Sequence, residues 1–124
     1  MIEVNNLTTN KVDEEFLKGL VKKVLQGENK KIADLSIVLV GQGRIRELNK
    51  KYRGKNKTTD VLSFQYDELG EVIICLREVK KNAKKFGSTY KKELARILIH
   101  GILHILGYDH EKMKEKENHY LENG

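Results

Sequence analysis

Hydrophobic residues follow two periods along the chain, and each period predicts one kind of element. Alternation of apolar and polar residues, together with β-branched runs, predicts strands, whereas apolar residues spaced by three and four predict helices that bury one face. The predicted strands are residues 1–5, 35–40, 58–64 (a turn that leads into a strand) and 71–75. The predicted helices are residues 13–27, 44–52, 77–86, a helix through 94–106, and a charged terminal helix after His110.

The order of these elements predicts an α+β fold. We expect one domain over residues 1–124, a small mixed sheet of about four strands packed with about five helices, and a central helix that bears histidines. The last two strands are expected to form a hairpin around a four-residue turn. Asp13 is expected to cap the first helix, and Val79, Ala83 and Phe86 are expected to face inward from the third.

The run from Leu94 to Leu106 is apolar almost all the way round. Its polar residues are Arg96, His100 and His104, which are spaced by four and therefore share one face of a helix with ~3.6 residues per turn. Gly107 follows, at a position where a glycine in the left-handed conformation commonly ends a helix. The pattern predicts a mostly buried helix with one polar stripe that carries imidazoles.

The histidine spacing suits a metal ion. His100 and His104 lie one turn apart, so their ring nitrogens can reach one cation at ~2.0–2.1 Å, and the turn at Gly107 lets His110 return to it. Three neutral imidazoles leave a fourth tetrahedral position for water, which is the arrangement of a catalytic zinc site. We expect one Zn²⁺ per chain, although such a site also accepts Ni²⁺ or Co²⁺. The spacing disfavours the alternative of histidines with no ligand role.

The same spacing resembles the metzincin peptidase signature, His-Glu-x-x-His-x-x-Gly-x-x-His. Gly101 stands where these peptidases carry the glutamate that takes a proton from the attacking water. The departure keeps the metal-binding pattern and argues against peptidase chemistry.

The charge balance points to an anionic partner. The chain has 24 Lys and Arg against 18 Asp and Glu, a net charge of +6, which favours nucleic acid, although a solvated lysine-rich surface is the simpler alternative. The densest basic segment, Lys50 to Lys57, has five cations, one aromatic ring and no acid. It is either a solvated loop or a phosphate contact beside a site, and its composition leaves both readings open.

Composition also indicates the cellular compartment. The single cysteine, Cys75, excludes an internal disulfide, fits a reducing cytoplasm, and is expected to lie in the core at the end of an apolar strand. The sequence has no run of ~18 apolar residues that predicts a membrane span, and its first residues lack the pattern of a secretory signal. We therefore expect a cytoplasmic protein with no membrane partner.

Four stretches together resemble the YbeY family. They are HGILHILGYDH at 100–110, TDVLSF at 59–64, the Leu48-Asn49 to Tyr52-Arg53 stretch, and GEVI at 70–73. The resemblance implies a bacterial metal-dependent endoribonuclease of single-stranded RNA that acts in 3′-end maturation of 16S ribosomal RNA and in ribosome quality control, with the small ribosomal subunit as partner. The chain departs from the family at Glu71-Val72, usually Asp-Ile, and at Thr58, usually proline.

By position, the resemblance makes His100, His104 and His110 the zinc ligands. Arg53, the arginine that faces the metal, and His104 are the expected catalytic residues. The expected substrate-binding residues are Arg53, Lys50, Lys51, Lys55, Lys57 and Tyr52, the last by stacking on a base. Asp109 is either a hydrogen-bond acceptor for a ligand histidine or a cap of the last helix. The alternative functions are a metzincin-like metallopeptidase and a non-catalytic, zinc-stabilised ribosome-assembly factor.

Overall fold

The computed structural model describes residues 1–122, and within them it has four strands and five helices in the predicted order. In chain order they are β1 (Ile2–Asn6), α1 (Glu14–Gly27), β2 (Asp34–Val40), α2 (Gln42–Arg53), β3 (Val61–Tyr66), β4 (Leu69–Cys75), α3 (Leu76–Lys85), α4 (Tyr90–Ile105) and α5 (His110–Glu122). The predicted α+β fold class is confirmed. No helix within residues 1–122 is long and apolar enough to cross a membrane.

The strands form a mixed sheet in the order β1-β2-β4-β3. β1 and β4 run parallel to β2 on either side of it, and β3 is antiparallel to β4. The predicted hairpin is confirmed, but Tyr66 pairs with Leu69, so that Asp67 and Glu68 alone connect the strands. A two-residue turn needs a positive φ, which Asp67 adopts at 55°. The four-residue turn expected at 67–70 was therefore wrong.

The inner face of the sheet packs against α1 and α4. Alternate residues of β2 and β4 point to this face, and Ile37, Leu39, Val72 and Ile74 are fully buried there. The face is buried because apolar side chains cover it from both helices, which removes it from water.

α4 is the buried central helix that the sequence predicts. Every residue from Glu93 to Ile105 is buried except Arg96, His100 and His104, so the polar stripe is confirmed. Thr89 caps the helix, since its hydroxyl oxygen accepts a hydrogen bond of 3.1 Å from a backbone N–H of the first turn.

α2 covers one end of the opposite, outer face of the sheet. A second, smaller core forms between them from Val40, Ile45, Leu62, Ile73 and Cys75. The expected core position of Cys75 is confirmed, and its thiol is fully buried.

Two expectations about helix ends and faces had different outcomes. Asp13 caps α1, because its carboxylate accepts a hydrogen bond of 3.1 Å from a backbone N–H of the first turn. Phe86 was expected to face inward, and this was wrong, since the side chain is 63% exposed. α3 ends at Lys85, and Val79 and Ala83 already fill its inner face, so Phe86 lies beyond the packed part of the helix.

Candidate active site

One cleft gathers most of the predicted site residues. It lies where the C-terminal end of α2, the start of β3, the polar stripe of α4 and the first residue of α5 meet, and its volume is about 340 Å³. Its lining consists of Asn49, Arg53, Lys55, Lys57, Thr59, Val61, Leu62, Ser63, His100, His104 and His110.

The turn between α4 and α5 brings the third histidine to the cleft, as the sequence predicts. Gly107 is left-handed, with φ of 88°, and its N–H donates to the carbonyl of His104 at 3.0 Å. Asp109 then caps α5, because its carboxylate accepts a hydrogen bond of 2.9 Å from the backbone N–H of Lys112. Of the two roles considered for Asp109, the structure shows the cap. His110 consequently begins α5 at the edge of the cleft.

A carboxylate that the sequence analysis missed lies behind His100. Glu117 of α5 is only 8% exposed, and its Oε1 is 2.5 Å from Nδ1 of His100. A carboxylate only accepts hydrogen bonds, so Nδ1 of His100 is the donor, and in the neutral ring this leaves the lone pair on Nε2. Carboxylates hold metal-binding histidines in this way. The available signal was the spacing of Glu117 with Met113 and Tyr120, which form the buried face of α5.

The environment of His104 favours its neutral form. Burial lowers the pKa of His104, and His100, Arg53 and His110 lower it further because a second positive charge among them is unfavourable. A neutral imidazole is the form that binds a metal ion.

Imidazole nitrogens are suitable donors for zinc, but the rings lie further apart than they would around a bound ion. The ring centroids of His100 and His110 are 6.4 Å apart, whereas two imidazoles on one tetrahedral zinc place them roughly 5 Å apart. Within residues 1–122, no three His, Cys, Asp or Glu side chains are already arranged to hold a metal ion. His110 is exposed at the first position of α5, so its side chain is not held in place by packing. The zinc ligands stay a prediction.

Arg53 lies at the end of α2 with its guanidinium at the cleft. Its Nη2–H donates to the carbonyl of Ser63 at 3.1 Å, which ties α2 to β3. A guanidinium has five N–H donors, so this bond leaves others for an anion. Asn49 is buried and donates through Nδ2 to the carbonyl of Lys57 at 2.9 Å, which holds the basic loop over the cleft. Asn49 and Ser63 were not anticipated.

The predicted basic segment divides into two parts. Lys55 and Lys57 line the cleft with Arg53, and their role as phosphate contacts stays a prediction. Lys50, Lys51 and Tyr52 are outside the cleft lining, because α2 continues to Arg53 and its turn directs them elsewhere. The Nζ of Lys51 instead lies 5.3 Å from the ring centroid of Tyr52.

Gly101 faces the sheet and not the cleft. A Cβ on this residue would lie 2.7 Å from Cγ1 of Val72 and 3.2 Å from Oγ of Ser63, and the Ser63 hydroxyl donates to the Gly101 carbonyl at 3.2 Å. The position at which metzincins carry their glutamate therefore has no room for a carboxylate here.

The fold and the cleft together define a small α+β protein with a basic, histidine-lined site. Comparison with known proteins is more specific: the family model described as Endoribonuclease YbeY matches residues 3–123. The chain therefore belongs to the family of the endoribonuclease YbeY, and the resemblance read from the sequence is confirmed.

Individual relatives agree with this assignment. An Endoribonuclease YbeY of Sulfurihydrogenibium sp. is 45% identical over 115 residues, which cover 86% of this chain and 76% of the relative. An Endoribonuclease YbeY of Thermotoga maritima is 39% identical over 120 residues, covering 87% and 80%. The solution structure of a Thermotoga maritima protein is 35% identical and superposes with a TM-score of 0.74, covering 98% of this chain and 87% of that one.

Proposed function

We propose that this protein is a zinc-dependent endoribonuclease that cuts single-stranded RNA in the histidine-lined cleft. The observation that supports the proposal is the gathering of three imidazoles, Arg53 and two lysines around one cleft of about 340 Å³. Membership of a family named for endoribonuclease activity supplies the reaction class. By the same family resemblance, its biological substrate is the 3′ end of 16S ribosomal RNA on the small subunit, and its setting is cytoplasmic ribosome maturation and quality control.

Each residue at the site has a role that follows from the chemistry of its side chain. His100, His104 and His110 would hold Zn²⁺, which when bound supplies a Lewis acid and lowers the pKa of water towards neutrality. Glu117 holds His100 in the tautomer whose Nε2 is free to bind. Arg53, always charged, holds the scissile phosphate and offsets the charge that develops on it.

The basic loop binds the rest of the strand. Lys55 and Lys57 contact phosphates beside the cleaved bond, without selecting a sequence. Asn49 keeps their loop in place through its hydrogen bond to the Lys57 carbonyl. Binding through phosphates makes the affinity fall as the salt concentration rises.

The test is cleavage of a single-stranded oligoribonucleotide by the wild type and by His104→Ala and Arg53→Ala variants. Loss of one preorganised charge at a reacting phosphate lowers the rate by about 10²–10³-fold, and we expect this of Arg53→Ala. We expect His104→Ala to lose cleavage and bound zinc together. Arg77→Ala, which removes an exposed arginine on α3, is the matched control and keeps full activity.

Other results separate the alternatives. Cleavage of a protein substrate with no cleavage of RNA would establish a metallopeptidase. RNA binding without cleavage, in a protein whose zinc content is stoichiometric, would establish a non-catalytic assembly factor. Full cleavage by Arg53→Ala would show that Arg53 does not stabilise the reacting phosphate.

A further inference from the structure

The outer face of the sheet carries a group of aromatic rings, two exposed and one half-buried, that do not line the cleft. α2 covers the end of this face that holds Val40, Leu62 and Ile73. The other end, where β3 runs into the hairpin turn, is open, and Tyr66 is 53% exposed. Tyr52 at the edge of α2 is 50% exposed. We call Tyr52, Phe64 and Tyr66 the aromatic platform.

The rings of the platform are in mutual contact. Phe64 and Tyr66 are two residues apart on β3 and share its outer face; their centroids lie 6.3 Å apart with planes inclined by 18°. Tyr52 meets Phe64 edge-on, with centroids 5.2 Å apart. A groove of about 190 Å³ borders all three rings. Held in this way, the two exposed tyrosines lose little conformational entropy when a flat ligand binds them.

Two cationic side chains lie over rings of the platform, and one of them, Arg53, also lines the cleft. The Arg53 guanidinium carbon lies 5.6 Å from the centroid of Phe64, and the same residue lines the cleft. Lys51 stands over Tyr52. Arginine above an aromatic ring is a common arrangement in sites that bind single-stranded nucleic acid. When Arg53 binds a phosphate of an RNA strand, the neighbouring nucleotides of that strand therefore lie close to the platform.

The groove beside the rings carries no excess of positive charge. Glu71, which pairs with Phe64 across the β3–β4 ladder, and Arg44 both line it, so a flat apolar surface and not a cluster of cations is what the groove offers to a ligand. Aromatic rings bind any base through its π-face, at about 1–3 kcal/mol per base. We propose that the platform stacks unpaired bases of the RNA strand that leaves the cleft. This inference rests on the proposed function and extends it from the cleaved phosphate to the flanking nucleotides.

The test measures the Kd of a single-stranded oligoribonucleotide by fluorescence anisotropy, with EDTA present to prevent cleavage. A stacking energy of about 1–3 kcal/mol predicts that Tyr66→Leu, which keeps apolar bulk but removes the ring, weakens binding by roughly 5- to 150-fold. Tyr66→Phe keeps the ring and the affinity. The matched control is Phe86→Leu, which removes an exposed ring with a lysine above it at the far end of α3 and leaves the Kd unchanged.

A second arm distinguishes stacking from other effects. With an oligonucleotide that carries abasic sites outside the cleaved step, the wild type and Tyr66→Leu should bind equally, because there is no base to stack. Equal Kd values of Tyr66→Leu and wild type for the intact strand would overturn the inference, as would a dimer that Tyr66→Leu dissociates, since the platform would then join two copies. In both cases RNA cleavage by the wild type persists. A wild type that never cleaves RNA would instead refute the proposed function.

Discussion

Two polar clusters meet on the short helix α5, and they differ in how their charges are balanced. One is the Glu28 anchor, made of Glu28, Tyr108, Lys116 and Tyr120. In it, Oε1 of Glu28 accepts hydrogen bonds from the Tyr108 hydroxyl at 2.5 Å and from Nζ of Lys116 at 2.8 Å, and Oε2 accepts one from the Tyr120 hydroxyl. Burial alone would raise the pKa of Glu28, but these three donors outweigh it and hold the pKa at about 2.

The histidine cleft has the opposite balance. Arg53, Lys55, Lys57 and three imidazoles surround it, and the carboxylate that contacts this group, Glu117, lies behind His100. Lys116 and Glu117 are neighbours on α5, yet the first completes the anchor and the second supports the cleft. A cluster whose charges are satisfied internally holds the fold together, whereas one with excess charge of one sign is prepared for an external ligand.

The anchor should give the largest change in stability. Glu28→Gln removes the charge that Lys116 and both tyrosines surround, and we expect it to lower the free energy of unfolding by about 2–3 kcal/mol. Urea denaturation measures the change. Glu47→Gln is the control, because Glu47 is 72% exposed and its pair with Arg44 is open to solvent; we expect a loss of less than about 0.5 kcal/mol. Similar losses in both variants would show that the anchor is an ordinary surface pair.

Lowering the pH should remove nearly the same stabilisation as the Glu28→Gln substitution does. The pKa of Glu28 is about 2 in the fold and 4.5 for an unperturbed glutamate, so its stabilisation is complete above pH 4.5 and disappears as the pH falls towards 2. The difference of about 2.5 units corresponds to roughly 3 kcal/mol. Unfolding free energies of the wild type and Glu28→Gln should therefore converge in this interval. Parallel curves, with a constant gap down to pH 2, would contradict the role of the Glu28 charge.

The sequence predicts the cleft better than the anchor because the two depend on different distances along the chain. The two histidines of α4, the turn at Gly107 and the return of His110 arise within eleven residues, so local periodicity is sufficient. The bonds from Tyr108 and Tyr120 to Glu28 join residues 80 and 92 positions apart. These contacts depend on how α5 docks beside α1, which no local pattern specifies.

The residues that support the site were missed for the same reason. Glu117 reads as one more charge in a charged terminal helix until α5 is packed, when its position on the buried face brings it to His100. Lys51 lies within α2 and outside the cleft lining, whereas Lys55 lies in the loop that follows Gly54 and lines the cleft, a difference that the composition of the basic segment does not predict.

Behind the cleft, Glu117 should matter for activity more than for stability. Glu117→Gln keeps the shape of the side chain but removes the charge that fixes the His100 tautomer. Loss of such a partner typically lowers metal affinity or activity by about 10–100-fold, and we expect this loss in cleavage rate and in zinc retention. Glu115→Gln is the control, since Glu115 lies two residues earlier on α5 and is 72% exposed. Unchanged cleavage by Glu117→Gln would place that carboxylate with the anchor, as a purely structural group.

The smallest effect should come from Gly101→Ala, which adds one methyl group between α4 and the sheet. Alanine at an exposed helix position stabilises relative to glycine by about 0.8–1.0 kcal/mol, and we expect this gain for Gly19→Ala in α1, where the added Cβ has no atom within 4 Å. At Gly101 the same gain in helix propensity is set against a steric clash, because the added Cβ would lie 2.7 Å from Val72. The Val72 side chain is short, lies on a buried strand and has little room to move. Overpacking costs about 1–3 kcal/mol, so Gly101→Ala should lower the unfolding free energy by roughly 1 kcal/mol net. Because α4 must shift away from Ser63, which also binds Arg53, cleavage at a temperature where the variant is fully folded should fall as well. A stability loss with normal cleavage would show that the close approach at Gly101 serves the core alone and does not set the geometry of the cleft.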